Sequence, residues 1–443
     1  MPERWRNWGR NQECRPAAVE RPASDVEVVE ALRRARAAGQ TVKVAGGGHS
    51  FTDAACTNGR MLSLEHLDRV VGVDEAAGLV TVEAGMSIRR LNQELSARGL
   101  ALQNLGDIDR QAVAGALATG THGTGASFGA LPTFVQGMQL VTADGEVLDC
   151  SATEEPEVLH CARVGLGALG VVTKVTLRCV PTFNLHHLEQ PRRLHDVLGE
   201  LEEQVAANDY FEFYWLPHTD SCATIANNRT EEPVQEKGAY KRWRAEVFFP
   251  NVFFGALVAA GRVSRKRIPR LAETVAKNLG RTELINRSDR IFISTRLIRF
   301  VEMEYSIPRD RAADAVLAVR DLIEDEGHLV SFPIEVRFVA ADDVPLSMAN
   351  GRDSCFIAVH MARGVPYEAY FRGVERIMTG FGGRPHWGKM HLQAAADLAP
   401  RYPEWDRFLA CRARLDPQAR FANAYLDRVL GPVPGRAAGA PGL

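Results

Sequence analysis

The chain has 443 residues, of which 46% are hydrophobic and 24% are charged, and its formal net charge is −2. A chain of this length can bury more than one hydrophobic core, so we expect two domains. Because there is no basic excess to neutralise phosphates, the composition argues against nucleic acid as a partner and favours a small-molecule ligand.

The first 180 residues are predicted to alternate helices and strands. A helix is expected at 25–39, because Ser24 is a suitable N-cap and a glycine stands at the end. The Asp-Gly turn at 144–145 predicts a hairpin. The other elements expected here are a helix at 88–98 and strands at 42–45, 60–64, 79–84, 137–142, 147–150 and 171–180. Pro181, after which glycine becomes rarer, marks the end of the first domain.

The strand at 42–45 ends in three consecutive glycines, followed by His49 and Ser50. Consecutive glycines expose backbone N–H groups and let the chain approach a phosphate closely. The spacing G-x-G-x-x-G is absent, so this is not the signature of a simple NAD site. His49 can reach a cofactor ring from this position, although a turn histidine capped through Ser50 explains the residues equally well.

A second loop, at 115–125, is rich in glycine and threonine and carries His122. It lacks the Gly-Lys-Ser/Thr ending of a Walker A motif, which argues against ATP. Two phosphate-binding loops in one domain, each with a histidine, suit a long cofactor with two phosphates that lies between two lobes.

The region after Pro181 is predicted to form an antiparallel sheet with helices on one face, which would cap the first domain. We expect helices at 191–208 and 312–326 and strands at 211–216, 332–340 and 355–362.

The strand at 332–340 has one apolar and one charged face. Side chains alternate along a strand, so Glu335 and Arg337 share the face opposite Val336. An exposed ion pair would give the same pattern, and such pairs are common. In the next predicted strand, His360 lies on the same face as Phe356.

Three segments, GGGHS at 46–50, ATGTHGTG at 118–125 and LGALGVVT at 166–173, resemble the vanillyl-alcohol-oxidase class of FAD enzymes. Within that class the chain is most similar to the aldonolactone oxidoreductases, which include L-gulono-1,4-lactone and D-arabinono-1,4-lactone oxidases or dehydrogenases, with alditol oxidase as a near relative. The resemblance covers nearly the whole chain. It implies an α+β fold: a two-lobed FAD-binding domain of the PCMH type at 1–180, a substrate-binding cap domain with an antiparallel sheet at 181–380, a segment at 381–430 returning to the flavin, and a disordered tail at 431–443.

The resemblance also implies a set of cofactor-binding residues. In that family the histidine after the glycines carries FAD covalently, which nominates His49. The full set of implied cofactor-binding residues is Gly46, Gly47, Gly48, His49, Ser50, Gly106, Asp107, Gly115, Thr119, Gly120, His122, Gly123, Thr124, Gly125, Val172 and His386.

The same family places a Glu-x-Arg pair in the substrate pocket, which nominates Glu335 and Arg337 as catalytic. Lys389 is the third catalytic nominee, because residues 384–391 match the family's His-Trp-Gly/Ala-Lys segment. Asp107 and His360 are implied to touch the substrate; both depart from alditol oxidase, which has a serine and a small hydroxyl residue at these positions. No metal is predicted.

The implied activity is oxidation of a sugar 1,4-lactone at the CH–OH next to the carbonyl, by hydride transfer to flavin N5. The alternative is an alditol or polyol oxidase, or another FAD-linked carbohydrate oxidase. A flavin-binding protein without catalysis is disfavoured, because it has no reason to keep the three nominated catalytic residues together. By resemblance Gly106 lies beside the flavin edge, where a glycine admits oxygen and an alanine obstructs it, so oxygen is favoured over another electron acceptor.

Segments for targeting, membrane insertion or cross-linking are not recognised. Residues 1–8 lack an apolar signal region, which indicates a cytoplasmic protein. The apolar run at 247–260 is shorter than a membrane span, so any membrane association would be peripheral, and a buried helix is favoured. The eight cysteines form no C-x-x-C pair and are interpreted as free thiols.

Overall fold

The computed structural model describes residues 4–235, 254–294 and 297–433. Its α-helices span Asp25–Ala37, Ile88–Ser96, Val113–Ala118, Pro156–Ala162, Leu194–Gly199, Leu201–Ala207, Phe254–Val263, Ile268–Lys277, Ser288–Ile291, Ala312–Asp325, Glu368–Gly380, Ala395–Leu398, Trp405–Leu415 and Ala424–Leu430. Short 3₁₀ turns lie at Leu131–Phe134, Arg265–Arg267, Arg309–Arg311 and Ala399–Arg401.

The N-terminal region contains two main sheets. A parallel sheet has the strand order Ala18–Glu20, Arg60–Leu62, Val42–Val44. An antiparallel sheet has the order Val147–Ser151, Val135–Val141, Val171–Arg178, Leu79–Glu83, Val70–Asp74. Two smaller sheets pair Trp5–Arg6 with Glu13–Cys14 and Leu100–Ala101 with Val180–Pro181. We call this region, with its helices, the flavin domain.

The second region is built on an eight-stranded antiparallel sheet, which we call the cap sheet. Its strand order is Thr282–Arg287, Asn184–Arg193, Ser221–Thr230, Tyr210–Leu216, Ile334–Val339, Ser354–Ala362, Phe300–Pro308, Arg384–Pro385. One face packs apolar side chains such as Val336, Ile357 and Met303 against helices Ala312–Asp325 and Glu368–Gly380. The opposite face is polar, and its Phe356 belongs to the core of the flavin domain.

The chain after the cap sheet returns to the flavin domain. Trp387, Phe408 and Tyr425 share one core cluster with Val80 and Leu91. Of the tail expected at 431–443, residues from 434 onward lie outside the described part of the chain. Val433 is buried in a small cluster with Ala419 and Ala422.

The helix predicted at 191–208 begins three residues late. Residues 191–193 continue the strand Asn184–Arg193, which pairs with Thr282–Arg287 only as far as Glu189. Pro191 therefore lies where the strand has a neighbour on one side alone, a position in a sheet at which a missing N–H is tolerated. A proline that reads as a helix start was here an edge residue of a strand.

Among the described residues no helix is long and apolar enough to cross a membrane. The predicted apolar run at 247–260 lies outside the described residues up to 253. From Phe254 the chain is helical, and Val258 is 4% exposed. The eight cysteines are free thiols.

Candidate active site

A cleft of about 310 Å³ is lined by residues from both main sheets of the flavin domain. Of the residues nominated from the sequence, the lining includes Gly46, Gly47, Gly48, His49, Ser50, Gly115, Thr119 and Val172. The sequence reading missed the segments at 110–112 and 165–170, which line the cleft too. The second of these segments overlaps LGALGVVT at 166–173, which carries part of the family resemblance, so the sequence did contain a signal for it.

Two glycines of the cleft, Gly47 and Gly85, are required by close backbone approach. A Cβ on Gly47 would lie 2.4 Å from the carbonyl oxygen of Arg110, and one on Gly85 would lie 1.7 Å from that of Leu64. Gly48 has a φ of +69°, a conformation that side chains rarely adopt. The cleft is thus shaped by bare backbone, as a phosphate-bearing cofactor requires.

His49 lines the cleft with an unpaired ring nitrogen. Its imidazole stacks on Trp8 at a centroid distance of 5.7 Å, and its buried Nδ1 has no hydrogen-bond partner. Burial, with the positive charges of Lys389 and Arg110, lowers the pKa of His49 to about 4. A neutral imidazole with a free lone pair is a nucleophile, so these features fit a histidine that bonds to the flavin.

Gly388 joins the cleft to the cap sheet. A Cβ at this position would lie 3.3 Å from both Ser50 Oγ and Thr119 Oγ1, and Phe51 N donates to Gly388 O at 2.7 Å. The two glycine-rich loops and the segment at 384–391 therefore meet at one point. Lys389, the next residue, is held at the boundary between cleft and cap.

Arg337 lies in the middle of a buried set of acids on the polar face of the cap sheet. It is 7% exposed, contacts Asp107 and Glu335, and donates from Nε to Glu212 Oε2 at 2.7 Å. Tyr214 Oη donates to Glu335 Oε1 at 2.7 Å. Burial disfavours the charge, but the surrounding carboxylates hold the pKa of Arg337 well above its usual value. The reading of Glu335 and Arg337 as an exposed ion pair is therefore wrong.

Lys389 forms the second charged centre. Its Nζ lies 2.5 Å from Glu302 Oε2, and burial of the amine is outweighed by Glu302 and Glu304, which raise the pKa of Lys389. Although burial opposes it, the charges of Lys389 and His360 lower the pKa of Glu302 to about 2. Both partners are thus ionised.

Histidines connect this centre to the surrounding backbone. His122 Nε2 lies 3.2 Å from Glu304 Oε1, and its Nδ1 lies 2.9 Å from Gly123 O. His386 Nδ1 accepts a hydrogen bond from Gly388 N at 2.9 Å, and burial lowers the pKa of His386 to about 3. His360 Nε2 lies 3.5 Å from Glu302 Oε1.

Half of the residues nominated for the cofactor lie outside the cleft lining, and some of them bond to the cap sheet. Thr124 Oγ1 donates to Phe211 O at 2.5 Å, and Gly125 N donates to Phe338 O at 2.7 Å, so this loop ties the two domains together. The nominated residues outside the lining are Gly106, Asp107, Gly120, His122, Gly123, Thr124, Gly125 and His386.

The described chain thus gathers seven charged groups on the polar side of the cap sheet. We call Asp107, Glu212, Glu302, Glu304, Glu335, Arg337 and Lys389 the charged cluster; all its glutamates, Arg337 and Lys389 lie on cap-sheet strands or the segment that follows them.

Sequence reasoning missed Glu212, Tyr214, Glu302 and Glu304. Each alternates with apolar residues along its strand, as in Phe-Val-Glu-Met-Glu-Tyr from residue 300. The strand at 332–340 shows the same alternation, but Glu335 was nominated by the family resemblance, which was not extended to these four residues.

Comparison with known proteins agrees with this geometry. A family model for D-arabinono-1,4-lactone oxidase matches residues 175–429, and one for an FAD-binding domain matches residues 16–151. The chain is 45% identical over 428 residues to the L-gulono-1,4-lactone dehydrogenase of Mycobacterium tuberculosis, covering 97% of this chain and 99% of that one. It is 36% identical over 437 residues to the L-gulonolactone oxidase of Bos taurus, covering 96% and 98%.

Among solved structures, cholesterol oxidase from B. sterolicum superposes with a TM-score of 0.79 at 18% identity, covering 97% of each chain. This likeness shows that the two proteins share a fold of mixed helices and sheets. The lactone oxidase model covers more than half of the chain, and the resemblance read from the sequence motifs is confirmed. With its N-terminal FAD-binding domain, the chain belongs to the D-arabinono-1,4-lactone oxidase family of oxidoreductases.

Proposed function

We propose that this protein oxidises a sugar 1,4-lactone, of the L-gulono or D-arabinono type, at the CH–OH next to the carbonyl. The observation that carries this proposal is the position of Lys389, which is one residue from the point where the cofactor cleft meets the charged cluster. When bound, FAD supplies the hydride acceptor at N5. Relatives named for lactone oxidation or dehydrogenation, aligned over nearly the whole chain, support this substrate class.

The chain's own residues would bind the lactone and place charge around it. Arg337 and Lys389 are permanent cations in a buried site, where they stabilise the negative charge that develops on the substrate oxygen. Glu335, positioned by Tyr214 and Arg337, accepts hydrogen bonds from sugar hydroxyls and is the candidate proton acceptor. His360 contacts Glu302 and Asp107 contacts Arg337, so both side chains limit the space that is left for the lactone.

Flavin reduction tests the substrate class directly. Under anaerobic conditions, purified protein should lose its yellow absorbance when L-gulono-1,4-lactone or D-arabinono-1,4-lactone is added. Alditols such as xylitol and sorbitol serve as the comparison set. Bleaching by alditols but not by lactones would establish the alternative activity and overturn this one.

We also propose that His49 bonds covalently to the flavin through its unpaired Nδ1. After acid precipitation, the yellow colour should stay with the wild-type protein and should be released from His49→Ala. His66→Ala, which replaces a histidine that does not itself line the cleft, is the matched control and should behave as wild type. Colour that leaves the wild-type protein completely would contradict the bond while leaving the lactone activity open.

A further inference from the structure

Two pairs of cysteines have neighbouring side chains. The side chain of Cys56 interacts with that of Cys14, and the side chain of Cys161 interacts with that of Cys411. The two pairs differ in exposure: Cys14 and Cys56 are half-buried, whereas Cys161 and Cys411 are 1% and 8% exposed. Both pairs can in principle be oxidised, but a reagent from solution reaches the first pair more readily.

The backbone around the first pair holds the two thiols side by side. Cys14 ends the hairpin formed by Trp5–Arg6 and Glu13–Cys14. Ala17 N donates to Gly59 O at 2.8 Å, which places the two segments next to each other. Cys56 N donates to Asp53 O at 2.9 Å, so the loop that carries the second thiol is folded on itself.

Both segments also contact the cofactor cleft. Trp5 lines the cleft, and Trp8, in the turn of the same hairpin, stacks on His49. Ala54 and Ala55, just before Cys56, line the cleft from the other segment. A bond between the two thiols would therefore link the N-terminal hairpin on one side of the cleft to the loop that carries Ala54 and Ala55 on the other.

We propose that Cys14 and Cys56 form a reversible dithiol–disulfide site that reacts with low-molecular-weight disulfides such as oxidised glutathione. The Cys14 thiolate attacks one sulfur of the glutathione disulfide, and the first glutathione leaves as a thiol. The Cys56 thiolate then attacks the Cys14 sulfur, and the second glutathione leaves. Two protein thiols lose two electrons and two protons, and one glutathione disulfide gains them.

The order of the two steps follows from the surroundings of Cys56. Burial, with the neighbouring Cys14 and Asp53, raises the pKa of the Cys56 thiol, so little of it is thiolate before the mixed disulfide forms. The finished bond closes a loop of about forty residues, which restricts the unfolded chain and raises stability.

The test treats the full-length holoprotein with oxidised glutathione, alkylates the remaining thiols under denaturing conditions and identifies the peptides by mass spectrometry. We expect a Cys14–Cys56 cross-link that dithiothreitol reverses, and a higher melting temperature for the oxidised protein. Cys56→Ser should accumulate glutathione on Cys14, whereas Cys14→Ser should leave Cys56 largely unmodified. The buried pair is the internal control, and Cys161 and Cys411 should remain open to alkylation.

Two results would overturn the proposal. Wild-type protein that keeps glutathione on Cys14 without forming the cross-link would show that the second thiol cannot reach the first. Cross-linking of Cys161 with Cys411 at the same rate would show that exposure does not select the site. None of these measurements uses a lactone, so their outcome does not depend on whether the proposed lactone oxidation is correct.

Discussion

The cofactor cleft is formed mainly by backbone atoms, whereas the charged cluster is formed by side chains. The cleft is shaped by backbone, where glycines such as Gly47 and Gly85 bring carbonyl oxygens closer than any side chain would allow. The cluster is shaped by side chains, where Arg337 and Lys389 are each surrounded by carboxylates. Changes in the cleft should therefore act on cofactor content through sterics, and changes in the cluster should act on turnover through charge.

Lys389→Met should produce the largest effect and should separate the two regions. Removing the ammonium takes away a preorganised charge of the kind that is worth about 3 kcal/mol, or roughly a hundredfold in turnover. Flavin absorbance per protein should stay near wild type, because Lys389 does not line the cleft. Turnover and flavin content are measured on the same preparations.

The control for this variant is Lys174→Met, which removes a lysine whose Nζ lies 2.6 Å from Asp25 Oδ2, on the five-stranded sheet of the flavin domain. It should retain normal turnover. Near-normal turnover in Lys389→Met would contradict the expectation that changes in the charged cluster act on turnover.

Gly47→Ala should have the opposite effect, with less bound flavin but normal turnover of the flavin-loaded protein. Its methyl group would lie 2.4 Å from Arg110 O, so the loop must shift, at a cost of about 1–3 kcal/mol. We expect a purified protein with reduced flavin content whose flavin-loaded fraction turns over normally. Gly199→Ala, where no atom lies within 4 Å of the added carbon, is the matched control. Full flavin content in Gly47→Ala would show that the cleft tolerates side chains.

Gly106→Ala tests whether this position affects only the reaction of the reduced flavin with oxygen. The family resemblance implies that a methyl here slows reoxidation and leaves flavin reduction largely intact. The structure shows that the methyl would lie 3.0 Å from both Thr121 Cγ2 and His122 O. Because His122 also contacts Glu304, displacing this segment should disturb that contact, and we expect both half-reactions to slow, each by a few-fold.

Stopped-flow mixing measures the two half-reactions separately. Slower reoxidation with unchanged reduction would restore the sequence-based expectation that Gly106 governs access of oxygen. The relatives include proteins named as an oxidase and as a dehydrogenase, so the wild-type rate with oxygen is measured beside that with a dye.

Glu212→Gln should produce the smallest effect, which we expect to see most clearly in the pH dependence of stability. Burial, with the nearby carboxylates of Asp107 and Glu335, outweighs Arg337 and raises the pKa of Glu212 from 4.5 to about 7. The folded protein therefore keeps a proton that the unfolded chain loses, and this contribution to stability is present below pH 4.5 and lost as the pH rises to about 7.

The variant should flatten the fall of the melting temperature across this pH window, where each unit of pH corresponds to at most about 1.4 kcal/mol. Glu75→Gln, at an exposed position, is the control and should keep the wild-type slope. An unchanged slope in Glu212→Gln would show that this carboxyl group titrates normally.

The residues alone indicated the glycine loops of the cleft, whereas the nominated members of the cluster came from the family resemblance, and the difference has a physical reason. A glycine run such as 46–48 is local, and its meaning does not depend on distant residues. The partners of Arg337 come from the loop at Asp107 and from Glu212 on another strand, so only strand order and register reveal them. The alternation of Glu302 and Glu304 with apolar residues is typical of a strand, although none was predicted there, and nothing local shows that its polar face is buried.

Asn423 has a consequence for how the protein acquires its cofactor. Its side chain caps the helix Ala424–Leu430 and also donates to the carbonyl oxygens of Asp53, Ala54 and Cys56 at 2.9 to 3.1 Å. The wall of the cleft is thus completed by a residue that lies far along the chain from the glycine loops. A chain in which only the region before Pro181 has folded still lacks these hydrogen bonds, so we expect stable flavin binding only after the helix Ala424–Leu430 has docked.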